Sequence, residues 1–404
     1  MNVAEISTNV HYIGVNDRRT DLFESLWPLP YGVSYNSYLV AGPEKVAIID
    51  GVEAAYALEQ IGHIREILGD RKPDYLVINH MEPDHSGAIR ILREVYPDIT
   101  IVATRQALDM VKGYYGEEAS TIAVKEGDSI SLGEGATLRF VPIPMVHWPE
   151  TMVSILEEEK ILFSGDAFGC FGALNGGVTD EEMSTDHYFP EMLRYYSNIV
   201  GKYGAFVQKA LKKLESVEIA AICPTHGPVW RGRIAEVVGL YDRLSRYEPL
   251  DNGVTIIYGS MYGNTARLAE EAARALTAAG VRDISIHDAS RSGHSYIISD
   301  IFRHRGLIVA APTYNDTLFP PVKTLLDAIA TRGVKNREVL LFGSNTWAQR
   351  AVPVMEEILA KAGIEPIASP VVMKQSASAD VIAAVRQSAA ALAARLATFN
   401  QQLD

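Results

Sequence analysis

Beyond Gly253 the chain settles into one rhythm. Short apolar runs at 254–258, 284–287, 307–310, 338–342 and 365–368 alternate with longer stretches at 265–279, 295–303, 320–331, 350–362 and 379–398. The long stretches carry helical periodicity, while the short ones are rich in Val, Ile and Leu, as strands covered on both faces are. A strand followed by a helix re-enters the sheet in the same direction, so this pattern predicts an α/β fold with a doubly wound, five-stranded parallel sheet. Ala383–Ala397 reads as its amphipathic closing helix. The polar, turn-rich segment from Tyr247 to Gly253 marks a boundary, and 404 residues suffice for two domains, expected at 1–249 and 250–404.

The first half predicts strands at 10–15, 37–40 and 45–50, the last two a hairpin around Gly42-Pro43, then a helix near 54–68. Further strands are expected at 75–78, 99–103 and 121–124, with a helix near 107–114. A second set follows at 129–132, 137–141, 151–156, 161–163 and 219–223, with a helix over about 188–215. Chemistry-bearing residues gather at the ends of these strands. His80-Met81-Glu82-Pro83-Asp84-His85 follows strand 75–78 and precedes a helix that begins near Ser86. In an extended turn alternate side chains share a face, so His80, Glu82 and Asp84 would converge as half of a metal site. Asp84 as a mere cap of the following helix is the competing reading. His147, Asp166 and His226 also each follow a strand, and four such strand ends are far less expected by chance than one.

Composition decides what could hold a metal. Cys170 and Cys223 are the only cysteines and form no CxxC pair, so thiolate zinc and iron–sulfur sites are excluded, as is a disulfide framework. That leaves imidazole and carboxylate. The seven candidates exceed what one ion takes, whereas two ions sharing a carboxylate would use them all. His11, His63, His187, His287, His294 and His304 read as surface or core residues. A net charge of -13 argues against a nucleic-acid partner, and no apolar run approaches a membrane span. The start, Met1-Asn2-Val3-Ala4-Glu5, lacks the basic and apolar regions of a signal peptide, so a cytoplasmic location is expected.

The cluster resembles the metallo-β-lactamase superfamily, whose first motif runs His-x-His-x-Asp-His, with Glu82 here in place of the second imidazole. The exchange makes the donor set harder and more anionic, which favours iron over zinc. Together with His147-Trp148-Pro149, Asp166-Ala167-Phe168-Gly169 and His226, it makes nearly the whole chain similar to the flavodiiron proteins. The resemblance implies an N-terminal αββα sandwich. It also implies one iron on His80, Glu82 and His147, a second on Asp84, His85 and His226, and Asp166 bridging them. Relatives differ in whether the residue at His85 reaches the metal.

In the second domain, Tyr258-Gly259-Ser260-Met261-Tyr262-Gly263-Asn264-Thr265 joins a strand to a helix. Small residues there form an anion cradle at the helix N-terminus, and the lack of Lys rules out a Walker A loop. Alone this is also what a tight turn looks like. Ala311-Pro312-Thr313-Tyr314-Asn315-Asp316 and Gly343-Ser344-Asn345-Thr346-Trp347 follow neighbouring strands and suit a flat ring with a phosphate tail. This resembles flavodoxin and implies FMN. Ser260, Tyr262, Asn264 and Thr265 would hold the phosphate, and Thr313, Tyr314, Asn315 and Trp347 would lie near the isoalloxazine. Met261, Gly263, Pro312, Ser344, Asn345 and Thr346 would complete the contacts. Trp347 as a core residue is the other reading. Arg350 is expected near the ring, where it would stabilise an anionic reduced flavin.

The resemblance implies an oxidoreductase that reduces O2 to water, NO to N2O, or both, with electrons passing through FMN. The sequence ends at Asp404 with no donor module, so an external donor such as rubredoxin is expected. So is a head-to-tail homodimer, or a homotetramer. Residues 19–35, Phe171 and Tyr195 would line the oxidant pocket. Some relatives carry a His after Asp-Ala-Phe-Gly, where this chain has Cys170 and Phe171 and a more apolar pocket. A zinc hydrolase of the metallo-β-lactamase type with an accessory flavodoxin-like domain is the alternative, and Glu82 argues against it.

Overall fold

The computed structural model describes residues 3–116 and 120–400. Met1 and Asn2, read above for a leader, lie outside that range, as do 401–404. The chain divides into two compact units, one of residues 1–196 and 203–242, the other of 197–202 and 243–404. Among the described residues no helix is long and apolar enough to cross a membrane.

The first unit is built on two sheets. One has seven strands, in the order Ala4–Glu5, Val10–Tyr12, Tyr38–Ala41, Val46–Ile49, Tyr75–Ile78, Thr100–Thr104 and Thr121–Val124. The hairpin expected at Gly42-Pro43 pairs Ala41 with Val46 antiparallel, and from Val46–Ile49 onward the pairings are parallel. The second sheet runs Ser129–Ser131, Thr137–Pro142, Met152–Leu156, Ile161–Gly165 and Ala221–Pro224, the last joined in parallel. Alternate residues of both sheets form one core: Val40, Ala47, Ile49, Val77 and Val102 from the first, Leu138, Phe140, Met152, Leu156 and Phe163 from the second. Each large side chain so buried contributes about 1.5–3 kcal/mol. Helices including Ala57–Leu68 and Arg105–Tyr115 on one side, and Gly204–Leu214 and Ile234–Ser245 on the other, complete an αββα sandwich.

The single helix expected over 188–215 is broken. Helix Tyr188–Tyr195 passes into a π-helical turn at Tyr196–Val200 and a 3-10 turn at Gly201–Tyr203, before Gly204–Leu214 resumes. Gly201 and Gly204 weaken helical continuity where the hydrogen-bond spacing changes.

The second unit has five parallel strands in the order Ile284–Asp288, Asp251–Tyr258, His304–Tyr314, Glu338–Asn345 and Val371–Lys374, with Thr317–Leu318 antiparallel to the third in sequence. In chain order this is 2-1-3-4-5, the flavodoxin arrangement. The fifth strand was expected at 365–368 but lies at Val371–Lys374. Pro366 has no N–H to give a ladder, and its stretch makes only an isolated bridge to Val339. The closing helix Ala379–Asn400 buries Val385, Ala389, Leu392, Ala393 and Leu396 against the sheet, at the three- and four-residue spacing of one helical face.

Candidate functional site

Strand Tyr75–Ile78 leads directly to the first donors. Asp50, just past strand Val46–Ile49, accepts hydrogen bonds from the amides of Asn79 at 2.7 Å and His80 at 3.3 Å, tying two strand ends together. The chain then turns helical sooner than expected. Pro83 takes the first helical position of Pro83–Ser86, where its missing N–H is no loss. The turn therefore stays extended only as far as Glu82, and the convergence of His80, Glu82 and Asp84 on one point does not occur. His80 and Glu82 join one group, and Asp84 and His85 another. Nor does Asp84 cap the helix: the cap residue is Glu82, without a side-chain bond, and both Asp84 oxygens are buried without hydrogen-bond partners.

The first group is His80, Glu82, His147 and Asp166, and the second Asp84, His85 and His226. His80 Nε2 lies 3.3 Å from both Glu82 Oε2 and His147 Nε2. His147 Nε2 lies 3.0 Å from Glu82 Oε2 and 3.1 Å from Asp166 Oδ2. Asp84 Oδ2 is 3.3 Å from His85 Nε2 and 3.2 Å from His226 Nε2. Asp166 faces both groups, with Oδ1 2.9 Å from His85 Nε2. A bulge between Phe163 and Gly165, just before Asp166, breaks the register of that strand and re-aims its end.

Outer partners fix the rings. Ser34 has a carbonyl that can only accept, so His226 Nδ1 donates to it at 2.7 Å and Nε2 faces inward, buried and without a hydrogen-bond partner. Glu150 Oε1 stands 3.0 Å from His80 Nδ1 and also accepts the Met81 amide at 2.9 Å. The Thr225 hydroxyl donates to Asp166 Oδ1 at 2.5 Å. Glu150, Ser34 and Thr225 were not singled out in the sequence. Glu150 stands one residue past His147-Trp148-Pro149, and Thr225 just before His226, so proximity to a candidate was the one available signal.

The electrostatics fit a cation. Burial alone would lower the pKa of His80, but the charge of Asp166 and the ring's hydrogen bonds to Glu150 and Glu82 outweigh it and hold it well above its usual value. For His85 burial is likewise outweighed, by Asp84 and Asp166, and for His147 by Asp166 and Glu82, giving about 9 in each. Burial would raise Asp166, yet the facing imidazoles hold it well below the carboxylate range. Protons thus balance the carboxylates, and a metal ion takes the same place by releasing them. Four imidazoles and three carboxylates, with buried lone pairs on Asp84 and His226, suit two hard divalent ions.

Aromatic rings enclose the second group. Phe23 meets the His226 ring edge-on at 5.3 Å, Phe171 at 5.4 Å and Tyr195 at 6.2 Å. Tyr35 and Tyr195 face His226 at 5.9 and 5.6 Å.

In the second unit a cavity of about 470 Å³ opens at the carboxyl ends of the strands. Ser260, Met261, Tyr262, Asn264, Thr265, Pro312, Thr313, Tyr314, Asn315, Ser344, Asn345, Thr346 and Trp347 line it, as do Asp316, Ala348 and Gln375. Gly263 does not line it but takes φ 87 at the N-cap of helix Asn264–Ala278, turning the amides toward the opening. The buried Thr265 hydroxyl is 2.8 Å from that of Ser344. Trp347 is 91% exposed, so it is not a core residue. Arg350 is not among the lining residues; its Nε pairs with Asp316 Oδ1 at 3.1 Å. Gln375 follows the fifth strand and escaped notice because that strand was placed too early.

The family described as ODP family beta lactamase matches residues 33–227, and Flavodoxin matches 256–387. A nitric oxide reductase of Moorella thermoacetica is 31% identical over 369 residues, spanning 90% of this chain and 91% of that protein. An anaerobic nitric oxide reductase flavorubredoxin of Escherichia coli is 30% identical over 365 residues, 89% of this chain and 76% of that protein. The rubredoxin oxygen:oxidoreductase from Desulfovibrio gigas superposes with a TM-score of 0.93 at 30% identity, covering 98% of this chain and 99% of that one. A flavodiiron protein from Giardia intestinalis superposes equally well, at 0.93 with 26% identity over 100% of this chain and 98% of its own. The likeness runs through the donor groups of the first unit and the cavity of the second alike, and the chain belongs to the flavodiiron protein family.

Proposed function

We propose that this chain reduces dioxygen to water, nitric oxide to nitrous oxide, or both, at a non-haem di-iron centre fed through FMN. The observation that carries the reading is Asp166, one oxygen turned to each of two buried donor groups. His80, Glu82 and His147 would hold one iron, Asp84, His85 and His226 the other, and Asp166 both. His85 Nε2, 2.9 Å from Asp166 and 3.3 Å from Asp84, supports its inclusion. Glu82 sets the chain apart from a zinc hydrolase: a third carboxylate moderates the charge of two divalent ions and hardens the set.

When bound, the iron pair supplies the redox chemistry and FMN the electrons. The protein's part is to orient and to exclude. The Ser34 carbonyl and Glu150 fix the His226 and His80 rings so that Nε2 of each points inward. The Thr225 hydroxyl holds one oxygen of Asp166 and sets its angle. Phe23, Phe171, Tyr35 and Tyr195 keep bulk water from His226 and give it apolar surroundings that suit a small, weakly polar diatomic. In the second unit the helix amides at 263–265 would take the FMN phosphate, and Tyr314 and Trp347, both exposed at the cavity mouth, would flank its ring. A head-to-tail homodimer or homotetramer, with rubredoxin or another external donor, completes the proposal.

Anaerobically reduced protein, assayed for consumption of O2 and of NO in one preparation alongside metal and flavin analysis, tests it. Two irons and one FMN per chain with turnover of either gas are expected. Zinc with hydrolase activity and no gas turnover would overturn it.

A further inference from the structure

A second donor cluster lies in the flavodoxin-like unit, at the opposite end of its sheet from the cofactor cavity. Three neighbouring strands begin there: Asp251 opens the first, Asp283 precedes the second at Ile284, and His304 opens the third. A bulge between Asp251 and Val254 leaves Asp251 in register with His304. The His304 ring is fully buried and its Nε2 has no hydrogen-bond partner. That nitrogen is 3.5 Å from Asp283 Oδ1 and 3.8 Å from Asp251 Oδ1. One ligand atom from each residue falls within 4.8 Å of the others. Both distances exceed a hydrogen bond, yet they approach the roughly 3.4 Å edge of a tetrahedron with ~2.1 Å metal bonds.

We propose that Asp251, Asp283 and His304 form a third metal site, for a divalent ion of the zinc class, which pins the starts of three strands. The other nitrogen of His304 is already engaged: Nδ1 lies 2.9 Å from the Thr255 hydroxyl, a hydrogen bond that fixes the ring as an outer-sphere partner would. Gly253 gives the ring its room, since a Cβ there would sit 2.5 Å from His304 Cδ2. Arg303 engages Oδ2 of both carboxylates, which leaves Asp283 Oδ1 to the ion, while Asp251 Oδ1 accepts the Gly253 amide at 2.9 Å and keeps a second lone pair for it. The positive charge of Arg303 weakens the site without blocking it. The nitrogen donor selects against magnesium and calcium, which prefer oxygen alone. Asp251 and Asp283 are partly exposed, so an ion and a closing water reach the site from solvent.

The test uses the full chain loaded with iron and FMN, incubated with zinc chloride, desalted and analysed for both metals. One retained zinc per chain with the iron count unchanged is expected, along with a zinc-dependent rise in melting temperature. Asp283→Asn, on a half-exposed side chain, should lower zinc affinity at least tenfold and abolish the rise, as should His304→Gln. A large excess of magnesium should not displace the zinc. Zinc retained only in exchange for iron, equal retention in Asp283→Asn, or displacement by magnesium would overturn the proposal. None of these outcomes depends on gas turnover, so they leave the di-iron reading separately testable.

Discussion

The two halves of this chain build their sites in opposite ways. In the first unit the site is made of side chains: His80, His85, Asp166 and His226 are wholly buried, and they come from beyond the ends of three different strands. In the second, backbone amides and small hydroxyls at three loops surround an open cavity, and two of its three lining aromatics, Tyr262 and Trp347, are 89% and 91% exposed. A buried donor set must be oriented before its ligand arrives, because polar and charged groups cannot rearrange in a dry interior without losing their partners. An amide cradle needs only the right turn geometry and tolerates side-chain change.

That contrast breaks or holds on substitutions. The largest effect is expected for Asp166→Ala, which removes the carboxylate common to both donor groups. Gas turnover should fall more than about 100-fold, beyond the range for losing an outer partner, with iron lost and FMN retained. Loss of FMN as well would show that the two sites are not independent. Glu150→Gln comes next. It weakens the acceptor for His80 Nδ1 and the Met81 amide, and iron affinity should fall by about tenfold at unchanged flavin content. Trp347→Ala should loosen FMN roughly three- to tenfold, the worth of an aromatic contact, as read by flavin fluorescence. It should move the stability of the flavin-free chain by no more than about 0.5 kcal/mol.

The smallest effect concerns pH. Burial works against the charge of Asp17, but the Thr20 hydroxyl and the amides of Arg19 and Thr20 bond to it and hold its pKa below the usual value. A depressed carboxylate contributes stability that is complete above its unfolded pKa, about 3.9, and is lost as pH falls through the folded value. Asp17→Asn should lower stability modestly at neutral pH and flatten the acid limb of a denaturation series below about pH 4, so that the two proteins converge in acid. An equal acid slope in both proteins would remove Asp17 from the account.

What was legible in the sequence follows the same divide. Strand–helix alternation carried the second unit's fold, because local periodicity and a parallel sheet go together. Pro366 still sent one strand to the wrong place, since an apolar stretch does not reveal a missing ladder donor. The residues His80 to His226 could be named as candidates because donor-type residues after strands are visible locally. Their grouping came from the family resemblance and not from the motif's spacing: Pro83 starts a helix within the motif and separates Asp84 from Glu82. The Ser34 carbonyl and Glu150 lie 192 and 70 residues from the rings they orient, and contacts at that range leave no periodic trace.

The amide of Cys170 donates to the His226 carbonyl, so a sulfur sits beside a ligand of a centre proposed to handle oxidants. Its side chain is wholly buried; burial, reinforced by the charge of Glu191, pushes the thiol well above its ordinary pKa. The reactive species of cysteine is the thiolate, so a sulfur kept protonated resists the first rung of the oxidation ladder. The fold thereby shields its own vulnerable atom from the chemistry next door.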